Sequence, residues 1–288
     1  MSLRVGFIGL GNQGKPIAAH LAPAGFDTTV YDVVEEPVQE LVADGAKAAK
    51  SPREVGEQAD VVGICVPEDR HVLTVVLGDD GLLEGMSSGG VILIHSTVLP
   101  ETADEIAAAA KEKGVMVMDA CVTGGEARAK VKQITYLVGG PEAALDRARP
   151  YFEATSEVPV IHAGDLGNGA KVKLCINLIT YIQWAAAYES LTLARAIDLP
   201  VEVLEAAGKS NGQLTDMMLQ FMTGHKLPPE ARASEPFQAL MRNHMNIAEK
   251  DLAWALNLAR KHGVALPVGG LVSQSMARLY GVEDEGRR

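Results

Sequence analysis

Strand-like and helix-like segments alternate along the first 164 residues of this chain. The strand-like segments are short, apolar and rich in β-branched residues. We place them at Arg4–Ile8, Thr28–Tyr31, Val61–Val66, Val91–Ser96, Val115–Met118, Ile134–Val138 and Val158–His162. Several of the segments between them have helical composition, as in Glu101–Lys113. This alternation predicts βαβ units, and therefore a mainly parallel sheet covered by helices on both faces.

The pattern changes after Gly169. Residues 170–196 contain no glycine or proline and predict one long helix, which we place at about 169–196. Residues 201–207, 213–222 and 245–262 are also helical in composition, without a convincing strand between them. The sequence therefore predicts a doubly wound α/β domain over residues 1–164 and an all-helical domain over residues 165–288, which ends in a solvated tail at 283–288.

A glycine-rich turn joins the first predicted strand to the first predicted helix. It consists of Gly9, Leu10, Gly11, Asn12, Gln13 and Gly14. Glycines at this spacing allow a tight turn and let a pyrophosphate approach the backbone at the start of a helix. Similar turns occur in sheets that bind another nucleotide or none. The strand before the turn and the acidic residue after the next strand favour a Rossmann-type dinucleotide-binding domain.

That acidic residue ends the second strand. Asp32 follows Gly14 by eighteen residues, where a carboxylate accepts hydrogen bonds from a ribose 2′-hydroxyl and repels a 2′-phosphate. The residues that follow, Val33 to Glu36, supply no positive charge. The sequence therefore predicts NAD as the cofactor in preference to NADP.

Charge and cysteine content limit the partners and the compartment. The chain has 26 Lys and Arg against 37 Asp and Glu, and its formal charge of -11 argues against general binding to nucleic acid or an anionic membrane. Cys65, Cys121 and Cys175 lie far apart, so we predict neither a disulfide framework nor a metal site. No signal-peptide pattern and no membrane-spanning apolar stretch is evident in the sequence. We expect a cytoplasmic protein.

Two polar residues share one face near the start of the long helix. Lys173 and Asn177 are four residues apart, and Asn168 is placed to cap the helix. We expect the helix dipole, burial and a cationic nicotinamide ring to lower the pKa of Lys173. Such a lysine acts as a general base toward a hydroxyl or as an acid toward a carbonyl. Lys171 lies on another face and is predicted to be solvated.

Four segments have the pattern of a known enzyme family. They are Val5–Gly14, Asp119–Gly125, Gly167–Asn177 and Lys250–Leu252. In order and spacing the chain resembles the β-hydroxyacid dehydrogenases, which include 3-hydroxyisobutyrate dehydrogenase, tartronate semialdehyde reductase and, more distantly, 6-phosphogluconate dehydrogenase. The resemblance covers nearly the whole chain. It implies an NAD-dependent oxidoreductase that transfers a hydride between the cofactor and a small β-hydroxyacid or the matching semialdehyde.

The resemblance also implies roles for individual residues. Lys173 would be the catalytic acid or base, and Asn177 would hydrogen-bond the substrate. Thr123, Gly124 and Gly125 would bind the substrate carboxylate, with threonine in place of the family's usual serine. The residues implied along the cofactor are Gly9, Leu10, Gly11, Asn12, Gln13, Gly14, Asp32, Val66, Pro67, Ser96, Thr97 and Lys250.

A basic segment departs furthest from the family pattern, which usually has small residues and glycines there. Arg128, Lys130 and Lys132 alternate, so an extended segment would point all three side chains the same way. One interpretation is that Arg128 recognises a second anionic group on the substrate. The other is a charged loop that faces solvent. The sequence leaves both open.

Several other side chains are assigned to packing rather than chemistry. We predict that His95, at the end of a strand, is structural and that Cys121 and Cys175 are buried small hydrophobes. The aromatic residues of the long helix are predicted to pack in the core or at a subunit interface; they are Tyr181, Trp184 and Tyr188.

Two other function classes remain open at the level of sequence. One is an imine-reductase-like enzyme, or another carbonyl reductase, on the same fold. The other is an NAD-binding module without turnover. We expect a small anionic substrate and a homodimer or homotetramer, since the long helix needs a partner subunit to bury it.

Overall fold

The computed structural model describes residues 3–283. The rest of the predicted solvated tail, 284–288, lies outside the described residues. The chain divides into two compact units, Met1–Lys173 and Leu174–Arg288. The division falls inside one long helix, which spans Asn168–Ala196.

The first unit contains one sheet of eight strands. They are β1 Arg4–Ile8, β2 Asp27–Tyr31, β3 Lys47–Ala48, β4 Val61–Ile64, β5 Val91–Ile94, β6 Met116–Thr123, β7 Thr135–Gly139 and β8 Ile161–His162. Their order in the sheet is β3-β2-β1-β4-β5-β6-β7-β8. All neighbours are parallel except β6 and β7. The predicted α/β class and mainly parallel sheet are confirmed.

Helices cover both faces of this sheet. They are α1 Gly14–Ala18, α2 Glu35–Ala43, α3 Pro52–Gln58, α4 Asp69–Leu77, α5 Leu82–Gly85, α6 Pro100–Glu112, α7 Gly125–Lys130 and α8 Glu142–Thr155. Strand β5 shows why two layers are needed, because its side chains alternate between two cores. Val91 and Leu93 pack with α1 and α8, whereas Ile92 and Ile94 pack with α3, α4 and α6.

Strands β4 and β5 end two residues earlier than predicted, and three other strands differ further. Strand β6 continues past Met118 to Thr123, because residues 119–123 pair with β7 and the buried carboxylate of Asp119 is satisfied by backbone N–H groups. Strand β8 is shorter than predicted, since Pro159 has no N–H to donate to a ladder. Strand β3 was not predicted; it is two residues long and exposed.

The second unit is helical, as predicted. Helix α9, Asn168–Ala196, enters it from the first unit. It is followed by α10 Val201–Ser210, α11 Asp216–Lys226, α12 Pro229–Arg232, α13 Glu235–Lys261, α14 Pro267–Ser273 and α15 Met276–Tyr280. Its main core packs Tyr181 of α9 against Leu252 of α13 and Leu279 of α15. Within residues 3–283, no helix combines the length and apolarity needed to cross a membrane.

Candidate active site

The glycine-rich turn lies at the carboxyl end of β1, where the chain order across the sheet reverses between β2 and β4. Ligands of doubly wound sheets bind at such a point. Gly9 has φ +92°, and a Cβ there would overlap the carbonyl oxygen of Cys65. A Cβ on Gly14 would overlap the carbonyl oxygen of Gly9. Both glycines are therefore required by the packing of the chain itself.

Gly11 differs from the other two glycines of the turn. A Cβ on Gly11 would meet nothing within 4 Å, and its φ is not positive. A small residue is thus not needed for the fold at this position. The neighbouring Gln13 has a buried side-chain nitrogen without a hydrogen-bond partner in the described residues. Open space beside Gly11 and an unused donor on Gln13 fit a dinucleotide pyrophosphate at this turn.

Asp32 lies beside the turn at the end of β2. Its Oδ2 accepts a hydrogen bond from the backbone N–H of Leu10 at 2.5 Å, and its Oδ1 accepts one from Val34 at 2.8 Å. Each carboxylate oxygen has a second lone pair for a further donor. Asp32 therefore holds the glycine-rich turn in place and still has acceptor capacity.

The ends of β4 and β5 lie next to the turn in the sheet order. The backbone N–H of Val66 donates to the hydroxyl of buried Ser96 at 2.8 Å, which ties the two strand ends together. Pro67 is exposed and Thr97 is half-buried beside them. The structure thus brings these four predicted residues to the same edge of the sheet as the glycine-rich turn.

Thr123 ends β6, and the two glycines after it turn the chain into α7. Gly124 has φ +123° and Gly125 has φ +75°, a backbone conformation that side chains rarely adopt. The stem of Arg128 lies against Gly124, since a Cβ on that glycine would be 3.1 Å from the Arg128 Cδ. The predicted carboxylate-binding loop and Arg128 are therefore neighbours.

The basic segment is helical rather than extended, so its three side chains are not aligned as they would be in an extended segment. Arg128 and Lys130 lie on α7, and Lys132 follows the helix with φ +56°. Lys130 forms an ion pair with Glu126 at 2.6 Å, as residues four apart on a helix do. Arg128 is exposed and forms no ion pair within residues 3–283. Arg128 and Lys130 are two residues apart on this helix, so they point to different sides of it.

Asp119 holds the start of α9. Its carboxylate is fully buried, with Oδ1 accepting from the backbone N–H of Gly167 at 2.8 Å and Oδ2 from that of Ala170 at 2.6 Å. Burial raises the pKa of Asp119. The sequence assigned this cap to Asn168, whose side chain instead donates to the carbonyl of Ala163 at 3.0 Å. The capping residue comes from a distant strand, so no local sequence signal reveals it.

Lys173 and Asn177 lie on α9 as predicted. Lys173 is half-buried, whereas Lys171 is exposed and donates to the Oδ1 of Asn168 at 3.0 Å. The prediction that Cys175 is buried is wrong, because it lies on the exposed side of the helix; Cys121 is buried as expected. Lys173 and Asn177 thus lie on a less exposed side of α9 than Lys171 and Cys175 do.

In the second unit, Asn177 belongs to a buried polar cluster. Its Nδ2 donates to the Oδ2 of Asp251 at 2.6 Å, and the Tyr181 hydroxyl donates to the same oxygen at 3.2 Å. Lys250 approaches the other carboxylate oxygen at 3.5 Å and lies over the Trp254 ring, 4.3 Å from its centroid. Asp251 was not predicted as a site residue, although its position within the Lys250–Leu252 motif was a signal.

His95 has a structural role, as predicted. Its Nδ1 donates to the carbonyl of Ala120 at 2.8 Å, which leaves Nε2 to accept from the Tyr151 hydroxyl at 2.8 Å. The ring stacks between Phe7 and Tyr151 in the core. Burial lowers the pKa of His95 to about 4. The imidazole is therefore neutral and enclosed at neutral pH.

This histidine gives a prediction about acid stability. Since its pKa is about 4 in the folded state and 6.5 unfolded, the unfolded chain binds the proton more tightly between these values. We expect this group to cost about 3 kcal/mol of unfolding free energy as the pH falls from 6.5 to 4. Urea unfolding of wild type and His95→Gln at pH 7 and pH 4.5 measures it. An equal loss of stability in both proteins would contradict the assignment.

The described residues contain no group of three His, Cys, Asp or Glu side chains that could hold a metal ion.

Known proteins match both parts of the chain. Residues 4–167 match the family described as the NAD binding domain of 6-phosphogluconate dehydrogenase. Residues 167–287 match the family described as NAD-binding of NADP-dependent 3-hydroxyisobutyrate dehydrogenase. Together these matches extend over nearly the whole chain.

Individual relatives agree with these matches. A 3-hydroxyisobutyrate dehydrogenase of Pseudomonas aeruginosa is 34% identical over 267 residues, covering 93% of this chain and 89% of that protein. An NAD-dependent L-serine dehydrogenase of the same organism is 40% identical over 210 residues, covering 73% of this chain and 70% of that protein. The crystal structure of a 3-hydroxyisobutyrate dehydrogenase from Salmonella typhimurium superposes with a TM-score of 0.82 at 28% identity, covering 96% of this chain and 94% of that one.

Proposed function

The chain belongs to the β-hydroxyacid dehydrogenase family, and on that premise we propose that it transfers a hydride between NAD and a small β-hydroxyacid similar to 3-hydroxyisobutyrate, or the matching semialdehyde. The observation that carries the proposal is helix α9, which presents half-buried Lys173 and buried Asn177 on one face. An amine and an amide one turn apart supply proton transfer and hydrogen bonding to a hydroxyl or carbonyl oxygen.

In this proposal Lys173 moves the proton of the reaction. During oxidation its neutral amine accepts the proton of the substrate β-hydroxyl, and during reduction its ammonium returns that proton to the carbonyl oxygen. Asn177 hydrogen-bonds the same substrate, while the Thr123 hydroxyl and the N–H groups of Gly124 and Gly125 bind its carboxylate. The nicotinamide, when bound, supplies hydride acceptance and donation.

The cofactor is held in this proposal by the edge of the sheet described above. The residues concerned are Gly9, Leu10, Gly11, Asn12, Gln13, Gly14, Asp32, Val66, Pro67, Ser96 and Thr97, together with Lys250 from the second unit. The open space beside Gly11 supports this assignment, because the fold itself has no need of a glycine there.

The preference for NAD over NADP rests on the charge of Asp32. We expect wild type to bind NADH roughly 10- to 100-fold more tightly than NADPH, the range that a charge-assisted hydrogen bond provides. Asp32→Asn keeps an oxygen for the N–H of Leu10 but removes the charge. This substitution should therefore reduce the ratio of NADH affinity to NADPH affinity by about tenfold or more. Fluorescence titration with both reduced cofactors measures this, and equal affinities in wild type would disprove the role of Asp32.

The substrate class can be tested with a panel of short β-hydroxyacids that carry one or two anionic groups, followed by NADH absorbance. If Arg128 binds a second anionic group, Arg128→Ala should lower kcat/KM for dianionic substrates by about 10- to 100-fold and leave monoanionic ones nearly unchanged. Lys130→Ala is the matched control, since Lys130 is already paired with Glu126. An unchanged ranking of substrates would mean that Arg128 only faces solvent.

Adding cyclic imines to this panel separates the other function classes. Turnover of cyclic imines but of no hydroxyacid would favour an imine reductase. NADH binding without turnover of any compound would favour a module that binds the cofactor only. Oxidation of at least one β-hydroxyacid supports the proposal.

We also propose that residues 1–164 bind the dinucleotide and that residues 165–288 complete the substrate site and join subunits into a homodimer or homotetramer. Exposed apolar side chains support the second role. Leu193, Ile197 and Leu271 are 62%, 62% and 70% exposed, and all lie in the helical unit. Sedimentation equilibrium measures the oligomeric state, and a monomer at micromolar concentration would contradict it.

A further inference from the structure

The carboxylate of Asp119 joins two elements of the proposed site. Asp119 lies on β6, four residues before Thr123. Its two oxygens accept hydrogen bonds from Gly167 and Ala170, whose N–H groups lie at the start of α9 and have no partner within the helix. Because each oxygen binds a different donor, the side chain fixes both the position and the rotation of the first helical turn.

Two glycines bring the helix start directly onto the sheet. A Cβ on Gly169 would be 2.5 Å from the carbonyl oxygen of Leu137 and 2.6 Å from that of Asp119. A Cβ on Gly139 would be 2.6 Å from the carbonyl oxygen of Asp165 and would also overlap the Asp119 carboxylate. No side chain separates α9 from β6 and β7 here, so the helix start cannot shift without breaking these contacts.

We infer that Asp119 is a positioning residue for Lys173, an inference that rests on the proposed function. Lys173 follows Ala170 by three residues, so its backbone is placed by the turn that Asp119 holds. The strand that contains Asp119 ends at Thr123. Asp119 thereby sets the distance between the amine that transfers the proton and the loop that binds the substrate carboxylate. Displacements of about 1 Å reduce rates of such reactions by as much as 100-fold.

Asp119→Asn tests this assignment. The amide has the same shape but one acceptor, and its NH2 group faces a backbone donor, so one of the two bonds is lost. We expect kcat to fall at least about tenfold, while the dissociation constant of NADH changes less than about twofold. In a Lys173→Ala background the same substitution should change the residual kcat less than about twofold, because the group being positioned is gone.

Ser51→Ala is the matched control. Ser51 caps α3 by accepting from the N–H of Glu54 at 3.3 Å, so its loss should lower the unfolding temperature without changing kcat. An equal loss of kcat from Asp119→Asn with and without Lys173 would overturn the inference, as would a folded variant with wild-type kcat. If Asp119→Asn does not fold, Gly169→Ala can be used instead, because it also displaces the start of α9. Its effect on kcat is then compared with and without Lys173. Failure of the proposed function is seen separately, as a wild-type protein that oxidises no β-hydroxyacid.

Discussion

Replacing Lys173 with alanine is expected to lower kcat by about 10²- to 10⁴-fold, the contribution that a positioned acid or base makes to proton transfer. The dissociation constant of NADH should change less than about twofold, since the substitution removes a group that acts on the substrate. Stopped-flow measurement of hydride transfer, with fluorescence titration of NADH, gives both quantities. Added methylamine should restore part of the rate, because it supplies the missing base.

Lys171→Ala provides the control for this experiment. Lys171 lies two residues earlier on the same helix, is exposed and binds only the side chain of Asn168 among the contacts described above. Its replacement removes the same side-chain atoms but should leave kcat within about twofold. If Lys173→Ala were fully active, or if both variants lost activity equally, Lys173 would not be the group that transfers the proton.

The second large effect concerns two glycines of one turn. Replacing one with alanine should weaken cofactor binding, whereas replacing the other should destabilise the fold. Gly11→Ala adds a methyl group to open space, so the fold should be unaffected while NADH binding weakens by roughly 10- to 100-fold. Gly14→Ala drives a methyl group into the carbonyl oxygen of Gly9. It should cost about 1–3 kcal/mol of folding free energy or more.

Thermal unfolding and NADH titration on both variants separate these effects. Gly11→Ala should keep the wild-type unfolding temperature, whereas Gly14→Ala should melt at a lower temperature. A Gly11→Ala variant that bound NADH as well as wild type does would show that the pyrophosphate lies elsewhere. A fully stable Gly14→Ala would show that the turn tolerates a wider geometry than the structure describes.

The fold could be predicted from sequence because its signals are local. Strands buried on both faces, such as Val91–Ile94, are continuously apolar, and helices separate them along the chain. The antiparallel pairing of β7 with β6 was not predicted. Only eleven residues, 124–134, connect the two strands, fewer than the dozen or more that a parallel crossover needs. The predicted strands, Val115–Met118 and Ile134–Val138, left fifteen residues between them, which a parallel crossover could span. The pairing therefore depends on the continuation of β6 to Thr123, which was not predicted from the sequence.

The site could be predicted only in part, because some of its contacts join distant residues. Lys173 and Asn177 share a helix, and their spacing alone predicted a common face. The roles of Asp119 and Asp251 could not be predicted in this way, since each carboxylate accepts hydrogen bonds from groups about fifty or more residues away in sequence. The helical structure of the basic segment was missed for another reason. Its alternating cations were considered only for an extended geometry, whereas Glu126 and Lys130 at helical spacing favour the helix α7.

The contact between Lys250 and Trp254 has an optical consequence. The chain has two tryptophans, Trp184 and Trp254, and both lie in the helical unit. Trp184 is stacked on Phe221 with ring centroids 4.5 Å apart, whereas the ring of Trp254 faces the Lys250 ammonium. Intrinsic fluorescence excited at the indole band therefore reports on the helical unit alone, and the sheet unit is silent. Trp184→Phe would leave one emitter, Trp254, whose ring lies beside the Lys250 ammonium.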